Sequence, residues 1–534
     1  MDHAAIQLIR SAGAINVDQA HLITNCGDAE ETLRPTLLNV HLPVMVELAN
    51  DHLFLSNSEE STGRKFIASA PAYIAEYLGD VSFRTTYGTK YALYAGSMAN
   101  GISSEELVIA MGKAGMMGSF GAGGLLSERI EKAIQIIRSA LPNGPYAFNL
   151  INSPSEPALE EKTAELYIRH DIKVVEASAY LGLTSNLVWY RASGLSQDSN
   201  GNVIISHHII AKVSRKEIAK RFLEPASEDV LQQLVQSRKI TQEQAVLARK
   251  VPMADDITVE ADSGGHTDNR PLVSILPAII QLRDKIQDIY GYAQTVRVGA
   301  AGGIATPSSA LAAFMMGAAY VATGSINQSC TEACASEHTR RLLSQVEMTE
   351  VAMAPASDMF EMGVKVQVLK RGTMFAMRGQ RLFDVYSRYE SMDEIPSKER
   401  EKLESTIFQQ SLDSVWQECL RFFTARDPHQ IERAEKDPKA KMALVFRWYL
   451  GLSSRWSNMG EKGREMDYQI WCGPAMGAFN DWVKGTYLEL PENRHAADAN
   501  LQILTGAAYL YRIRMLEAQG IKFSPGLAQY NPLQ

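Results

Sequence analysis

Asp262-Ser-Gly-Gly-His-Thr-Asp268 sets a glycine pair, an imidazole and two carboxylates at the end of the β-branched run Ile257-Thr-Val-Glu-Ala261. Glycines at a strand end expose backbone N–H groups with no Cβ in the way, and such groups cradle a phosphate. Val296-Arg-Val-Gly-Ala-Ala-Gly-Gly-Ile304 repeats the pattern, and Val321-Ala-Thr-Gly-Ser325 offers a third glycine end. Together they suggest one phosphate held by adjacent strand ends. His266 and Asp268, at the tip of the first, are groups that can move or orient protons. The chemistry implied is a phosphate-bearing cofactor with a proton-handling group beside it.

These ends need a frame that brings them together. From Tyr91 the chain alternates regularly. Strand-like runs fall at Ala92–Ser97, Gly115–Phe120, Tyr146–Ile151, Lys173–Ser178, His208–Val213, Ile257–Ala261, Val296–Ala300 and Ala319–Thr323. Amphipathic stretches lie between them, two opening on Ser104-Glu-Glu and Ser127-Glu-Arg, the cap-and-dipole chemistry of helix starts. Pro271 and Pro307 lie close to later helix starts, where a missing N–H costs little. Eight strand–helix units are the count of a (β/α)8 TIM barrel. The alternative, a doubly wound open sheet, usually carries its phosphate glycines in the first turn. Here they follow the last three strands, which is the barrel's habit.

The remainder divides around that barrel. Residues 1–86 form a mixed α/β extension with an expected hairpin turning at Asn50-Asp51, and residues 87–336 form the barrel, with a helical insertion at about 226–253. Residues 337–534 are charged, mostly helical in pattern and rich in tryptophan, and form an α-helical substrate or lid region.

Bulk composition excludes several classes. A formal net charge of −8 argues against general nucleic-acid binding. Five cysteines, odd in number and scattered, are no disulfide framework and suit a reducing cytoplasm. Cys330 and Cys334 lack the second ligand pair that a metal site needs, so no metal is expected. Met1-Asp-His-Ala-Ala-Ile-Gln7 has neither the basic nor the apolar region of a signal peptide. No run approaches the roughly eighteen apolar residues of a membrane span.

A barrel's active face is built from the C-terminal ends of its strands. Those ends carry Gly96, Ser97 and Met98, Gly121–Gly124, Asn149, Glu176, Lys212, Asp262, Ala301 and Gly324. Asn149 could hydrogen-bond a flavin-like heterocycle, and Lys212 could stabilise negative charge at a flavin's N1/O2 edge. A structural partnership between Lys212 and a buried carboxylate is the plainer alternative. His207 and His208 begin their strand rather than end it and read as structural. Gly121-x-Gly-Gly124 lacks the following Lys-Ser/Thr of a Walker loop and reads as tight packing at a strand end.

Gly264-Gly265-His266, Ala301-Gly302-Gly303-Ile304 and Gly324-Ser325 resemble the FMN-dependent nitronate monooxygenase and FabK-type enoyl reductase barrels. Longer strings at Ala95–Met111, Ala254–Pro271 and Gly473–Trp482 resemble the PfaD family, trans-acting enoyl reductases of polyunsaturated fatty acid and trans-acyltransferase polyketide synthases. The resemblance implies bound FMN, with NADPH as hydride donor and an enoyl thioester on an acyl carrier protein as acceptor. It implies that Gly96, Ser97 and Met98 line the flavin, with Asn149, Glu176 and Lys212 toward its polar edge. Asp262, Gly264, Gly265, Ala301, Gly302, Gly303, Gly324 and Ser325 would surround its phosphate. His266 and Lys212 are the catalytic candidates.

Between Val364 and Arg381 the chain carries Lys365, Lys370, Arg371, Arg378 and Arg381 with no acid. This reversal of charge could receive an acidic carrier protein, or could be an ordinary solvated face. A small-molecule nitronate oxidase and a non-catalytic component of a synthase are the competing functions. A homodimer is the default assembly.

Overall fold

The computed structural model describes residues 29–49, 52–59, 63–154 and 156–533. The Asn50-Asp51 turn and the N-terminal stretch read for a signal peptide lie outside them. The chain forms two compact units. One comprises the chain up to Leu78 with Pro307–Ala312 and Leu501–Gln534; the other comprises Gly79–Thr306 and Ala313–Asn500.

The larger unit holds a closed barrel of eight parallel strands in sequential order. These are β1 (Leu93–Ala95), β2 (Met117–Phe120), β3 (Tyr146–Ile151), β4 (Val174–Ser178), β5 (His208–Val213), β6 (Asp256–Glu260), β7 (Arg297–Ala301) and β8 (Val321–Thr323). Each expected strand forms, with ends shifted by a residue or two. The helices that follow are α1 (Glu105–Lys113), α2 (Ser127–Ala140), α3 (Pro157–Arg169), α4 (Ser185–Ser193), α5 (Lys216–Leu223), α6 (Leu272–Tyr290), α7 (Pro307–Met315) and the single-turn α8 (Ser325–Gln328). Ser104 caps α1, its Oγ accepting the Leu107 N–H at 3.1 Å, whereas Ser127 is the first residue of α2 rather than its cap. The insertion forms two helices, Glu228–Gln236 and Gln242–Ala248, between α5 and β6.

The strands are buried on both faces, so their sequences run apolar instead of alternating. Polar groups inside the barrel pair with one another. Thr258 Oγ1 lies 2.8 Å from Tyr320 Oη and 3.1 Å from Tyr94 Oη. Phe83, from a helix at Val81–Tyr87 capped by Asp80, stacks on Tyr320 with ring centroids 4.3 Å apart. That packing plugs the N-terminal mouth.

Two buried ion pairs tie the same end. Arg297 grips Asp256 through Nε and Nη2, both at 2.7 Å, and the Tyr87 hydroxyl donates to the same carboxylate. Arg191 Nη1 reaches Asp255 at 2.7 Å, and His208 Nδ1 lies 3.4 Å from it. The aspartates that open β6 are thus structural, as are His207 and His208. With one mouth sealed, chemistry is confined to the other.

Beyond α8 the larger unit adds an antiparallel hairpin of β9 (Val351–Pro355) and β10 (Lys365–Leu369), then a set of helices. Phe360, Phe375, Phe408, Phe446 and Tyr449 form their core, with Trp448, Trp456 and Trp471 packed against it. Among the described residues no helix is long and apolar enough to cross a membrane.

The smaller unit contains the helix Ala29–Leu38 and a three-stranded antiparallel sheet in which Val44–Ala49 lies between His52–Ser56 and Lys65–Ala70. Arg512 is buried in this unit and donates to the carbonyls of Leu37, Asn39 and Leu42 at 2.9–3.1 Å. A single guanidinium thereby satisfies Leu37, in the last turn of the helix, together with two carbonyls of the segment that follows it.

Candidate active site

The open mouth is ordered from β1 outward. The N–H of Gly96 donates to Thr323 O at 2.9 Å, and that of Ser97 donates to Glu176 Oε2 at 2.8 Å. Ser103 Oγ donates to Gly96 O and accepts from the Met98 N–H, both at 3.0 Å, which folds the β1–α1 loop onto itself. A Cβ on Gly121 would lie 1.8 Å from Met98 O, so the loop after β2 can approach only as glycine. Asn149, buried on β3, donates through Nδ2 to Glu176 O and Ser178 Oγ at 3.1 Å.

Glu176 is fully buried, and Lys212 Nζ stands 3.5 Å from its Oε1 and 3.0 Å from Glu260 Oε1. Burial works against the Lys212 charge, but Glu260 and Glu176 outweigh it and hold the pKa above the ordinary lysine value. The ammonium is therefore charged at any working pH. Glu260 escapes sequence reading because it sits inside the strand pattern.

The loop after β6 leaves the barrel and joins the hairpin. Gly265–His266 pairs antiparallel with Val366 and Gln367 of β10. Gln367 Nε2 donates to Asp262 Oδ1 and Ser263 O, both at 2.8 Å. Asp268, read from sequence as a neighbour of His266 able to orient protons, turns away. Arg215 holds it through Nε and Nη2 at 2.8 and 2.7 Å, and Ser214 Oγ donates to it at 2.5 Å. The acid beside His266 is Asp358, from the β9–β10 loop, whose Oδ1 lies 3.3 Å from His266 Nε2. Adjacency in sequence picks the wrong carboxylate, because a two-residue strand fixes which way each side chain points.

The glycines at the mouth separate into two kinds. A Cβ on Gly302 would meet the backbone of Ala261 at 2.7 Å, and one on Gly264 would meet the backbone of Cys472 at 2.8 Å. Gly473 reciprocates, since its Cβ would meet Gly264 N at 2.8 Å, while its own N–H donates to Ser325 Oγ at 3.1 Å. These are close chain crossings. Gly265, Gly303 and Gly324 are different: no atom lies within 4 Å of where their Cβ would be. Ser263 Oγ, two residues before Gly265, is buried without a hydrogen-bond partner. Three consecutive strand ends with bare backbone, and an orphan hydroxyl, fit the phosphate of a mononucleotide. Gly473→Val should push the Ser263–Gly264 segment off its crossing and cost about 1–3 kcal/mol, read as a lowered denaturant midpoint.

The basic stretch is mostly spoken for. Arg371 pairs with Glu350 at 3.0 Å, Arg381 with Glu399 at 2.5 Å, and Arg378 with the buried Asp467. The two lysines of the stretch, Lys365 and Lys370, form no ion pair among the described residues.

A family model described as nitronate monooxygenase matches residues 82–378, more than half of the chain. The chain belongs to the nitronate monooxygenase family. Residues 389–468 match the inserted helical domain of [acyl-carrier-protein] S-malonyltransferase. A polyunsaturated fatty acid synthase subunit from Thraustochytrium sp. is 52% identical over 446 residues, covering 82% of this chain and 30% of that protein. The polyketide biosynthesis protein PksE of Bacillus subtilis is 47% identical over 442 residues, covering 83% of this chain and 57% of that protein. This member of the nitronate monooxygenase family spans from 22% to 57% of the length of the curated relatives it matches. The crystal structure of the enoyl reductase domain of MlnA, from the macrolactin biosynthesis cluster of Bacillus amyloliquefaciens, is 40% identical. It covers 83% of this chain and 99% of that domain, with a TM-score of 0.78. Relative to the family's barrel match, the chain beyond residue 378 supplies Gly473, just before the helix Ala475–Val483, which completes the crossing at Gly264.

Proposed function

We propose that this chain is an FMN-dependent enoyl reductase that takes hydride from NADPH and delivers it to an enoyl thioester on the acyl carrier protein of a multi-enzyme synthase. The observation carrying this reading is the 40% identity to the MlnA enoyl reductase domain over 99% of that domain. The synthase subunits among its relatives support a carrier-bound substrate. When bound, FMN would supply a hydride relay between the nicotinamide and the β-carbon of the enoyl group.

The chain's own residues would bind, orient and charge the site. Gly265, Gly303, Gly324, Ser325 and Ser263 would hold the phosphate. Gly96, Ser97 and Met98 would lie against the ring, the Ser97 N–H already committed to Glu176 and so keeping the loop in place. Asn149 spends its amide N–H groups on Glu176 and Ser178, which leaves Oδ1 to accept from the ring edge. Lys212, kept charged by two carboxylates, would stabilise negative charge gathered at that edge. Lys365 and Lys370 are the cations of the basic stretch left for an acidic carrier.

An anaerobic stopped-flow experiment tests this. NADPH should bleach the flavin band of the purified protein, and a crotonyl thioester on a carrier protein should restore it with oxygen still excluded. The family model's own description favours a second reading, oxidation of small nitronates. Under it, colour would return only on admitting air.

A further inference from the structure

Three adjacent barrel strands bring charge to one layer. Lys212 Nζ of β5 lies 3.0 Å from Glu260 Oε1 of β6 and 3.5 Å from Glu176 Oε1 of β4. Parallel register sets Lys212 beside Thr258, whose hydroxyl meets those of Tyr94 and Tyr320 inside the barrel. Glu260, two residues beyond Thr258, points to the same side of its strand. The three charged groups therefore form the layer above that hydroxyl cluster, toward the open mouth. A Cβ on Gly96 would lie 3.7 Å from Glu176 Oε1, so the layer adjoins the β1–α1 loop.

The two carboxylates hold different positions. Glu176 is fully buried, its Oε2 accepts the Ser97 N–H at 2.8 Å, and its Oε1 has no hydrogen bond. It serves the loop as much as the lysine. Glu260 is 18% exposed and stands closer to the ammonium. Burial works against the Lys212 charge, and Glu260 is the first group to offset it, with Glu176 next. One ammonium between two carboxylates leaves the layer with a surplus negative charge. Taking a second acid out of water costs stability, and a core that needed only pairing could have kept Glu176 alone. The surplus stands where a ligand would gather electrons.

We propose that Glu260 is a positioning residue that draws Lys212 toward itself and withholds part of its charge from the flavin, so that hydride leaves the reduced ring more readily. This rests on the flavoenzyme reading above. Reduction gathers negative charge at the N1/O2 edge. An ammonium free to face that edge would hold the charge there, whereas one shared with a second carboxylate holds it less. The hydride passed to the β-carbon is the one the nicotinamide delivered, so no further reductant enters. Glu260 alters only the balance between the two oxidation levels.

The test is a potential, measured on the full chain loaded with FMN and equilibrated against a reference dye, with nicotinamide and enoyl absent. Glu260→Gln keeps the shape of the side chain and removes its charge, while Glu176 remains to pair Lys212. It should favour reduced over oxidised FMN about tenfold, read as a rise of about 30 mV in the two-electron midpoint potential. Glu260→Asp restores the charge and should return most of the way. A purely structural loss would weaken both oxidation levels alike and leave the potential in place. An unmoved or lowered potential in Glu260→Gln overturns the proposal, as does an equal rise in Glu260→Asp. In anaerobic single turnovers, a crotonyl thioester on a carrier protein should reoxidise Glu260→Gln more slowly than wild type, with reduction by NADPH no slower. An unchanged enoyl step overturns the link to hydride delivery. A risen potential in the variant, with a wild type that regains colour only in air, overturns the enoyl reductase reading and leaves the hold of Glu260 on the flavin's potential standing.

Discussion

On the flavoenzyme reading proposed above, Gly303→Ala is expected to weaken flavin binding about 100-fold, equivalent to about 2.7 kcal/mol, with the fold intact. The neighbouring Gly302→Ala is expected to prevent stable folding. Both residues have φ near +80°, where a Cβ costs about 1–2 kcal/mol through its own carbonyl. That cost is common to both and does not distinguish them. The surroundings do. At Gly302 the new methyl would lie 2.7–2.9 Å from the C, N and O atoms of Ala261, backbone that is itself bonded into the barrel. Backbone in a closed sheet has nowhere to move, so the strain is taken by parting β6 from β7. At Gly303 the methyl meets nothing within 4 Å and stands in the cradle that the phosphate would use. Flavin fluorescence titration and urea denaturation of the two variants separate these outcomes. Equal loss of stability in both would remove the distinction between a packing glycine and a ligand-facing one.

Arg297→Ala should lower stability by about 3–5 kcal/mol, the largest effect expected from a single side chain remote from the open mouth. Asp256 is fully buried, and Arg297 supplies its two guanidinium contacts, both at 2.7 Å. The same guanidinium donates to Thr86 Oγ1 at 3.0 Å and lies 5.4 Å from the centre of the Tyr87 ring. Removing it strands a carboxylate at the sealed end of the barrel and unseats the helix that carries Phe83. Arg297→Lys should recover only part of the loss, because an ammonium cannot grip both carboxylate oxygens in a plane. Burial already pushes the Asp256 carboxyl upward. The variant's deficit should therefore shrink as pH falls and the stranded acid takes up a proton. Urea titrations at neutral and mildly acidic pH measure this, and a pH-independent deficit would point to lost packing as the cause.

What could be read from the sequence follows from what each signal depends on. The barrel strands were legible because a strand buried on both faces is largely apolar along its length, as Ile209–Ala211 and Val298–Ala301 are. The late glycines were legible because three strand ends that share one ligand need the same backbone freedom. Sequence could not separate Gly302 from Gly303, since that difference lies in whether Ala261 stands opposite. Nor could it find Asp358, whose link to His266 runs through a two-residue strand and a hairpin. The β-branched alternation Val364-Lys-Val-Gln-Val368, opposite the apolar run Val351–Pro355, was the available signal, and the segment between them carries the acid. The charge reversal at Val364–Arg381 misleads for the opposite reason. Its acids, Glu350, Glu399 and Asp467, lie outside the window and return by folding.

The crossing of Gly264 with Gly473 also bears on the order in which a nascent chain can become competent. All eight barrel strands have been made once the ribosome passes Thr323, so the sheet can close while the rest is still being synthesised. The loop bearing His266 cannot settle then, because its neighbours at Gln367 and Cys472 do not yet exist. On the proposed reading, cofactor capture would thereby be deferred to the last stretch of translation. A chain stalled before Gly473 is expected to be a closed barrel that remains colourless, and acquiring colour marks a polypeptide made through its C-terminal helices.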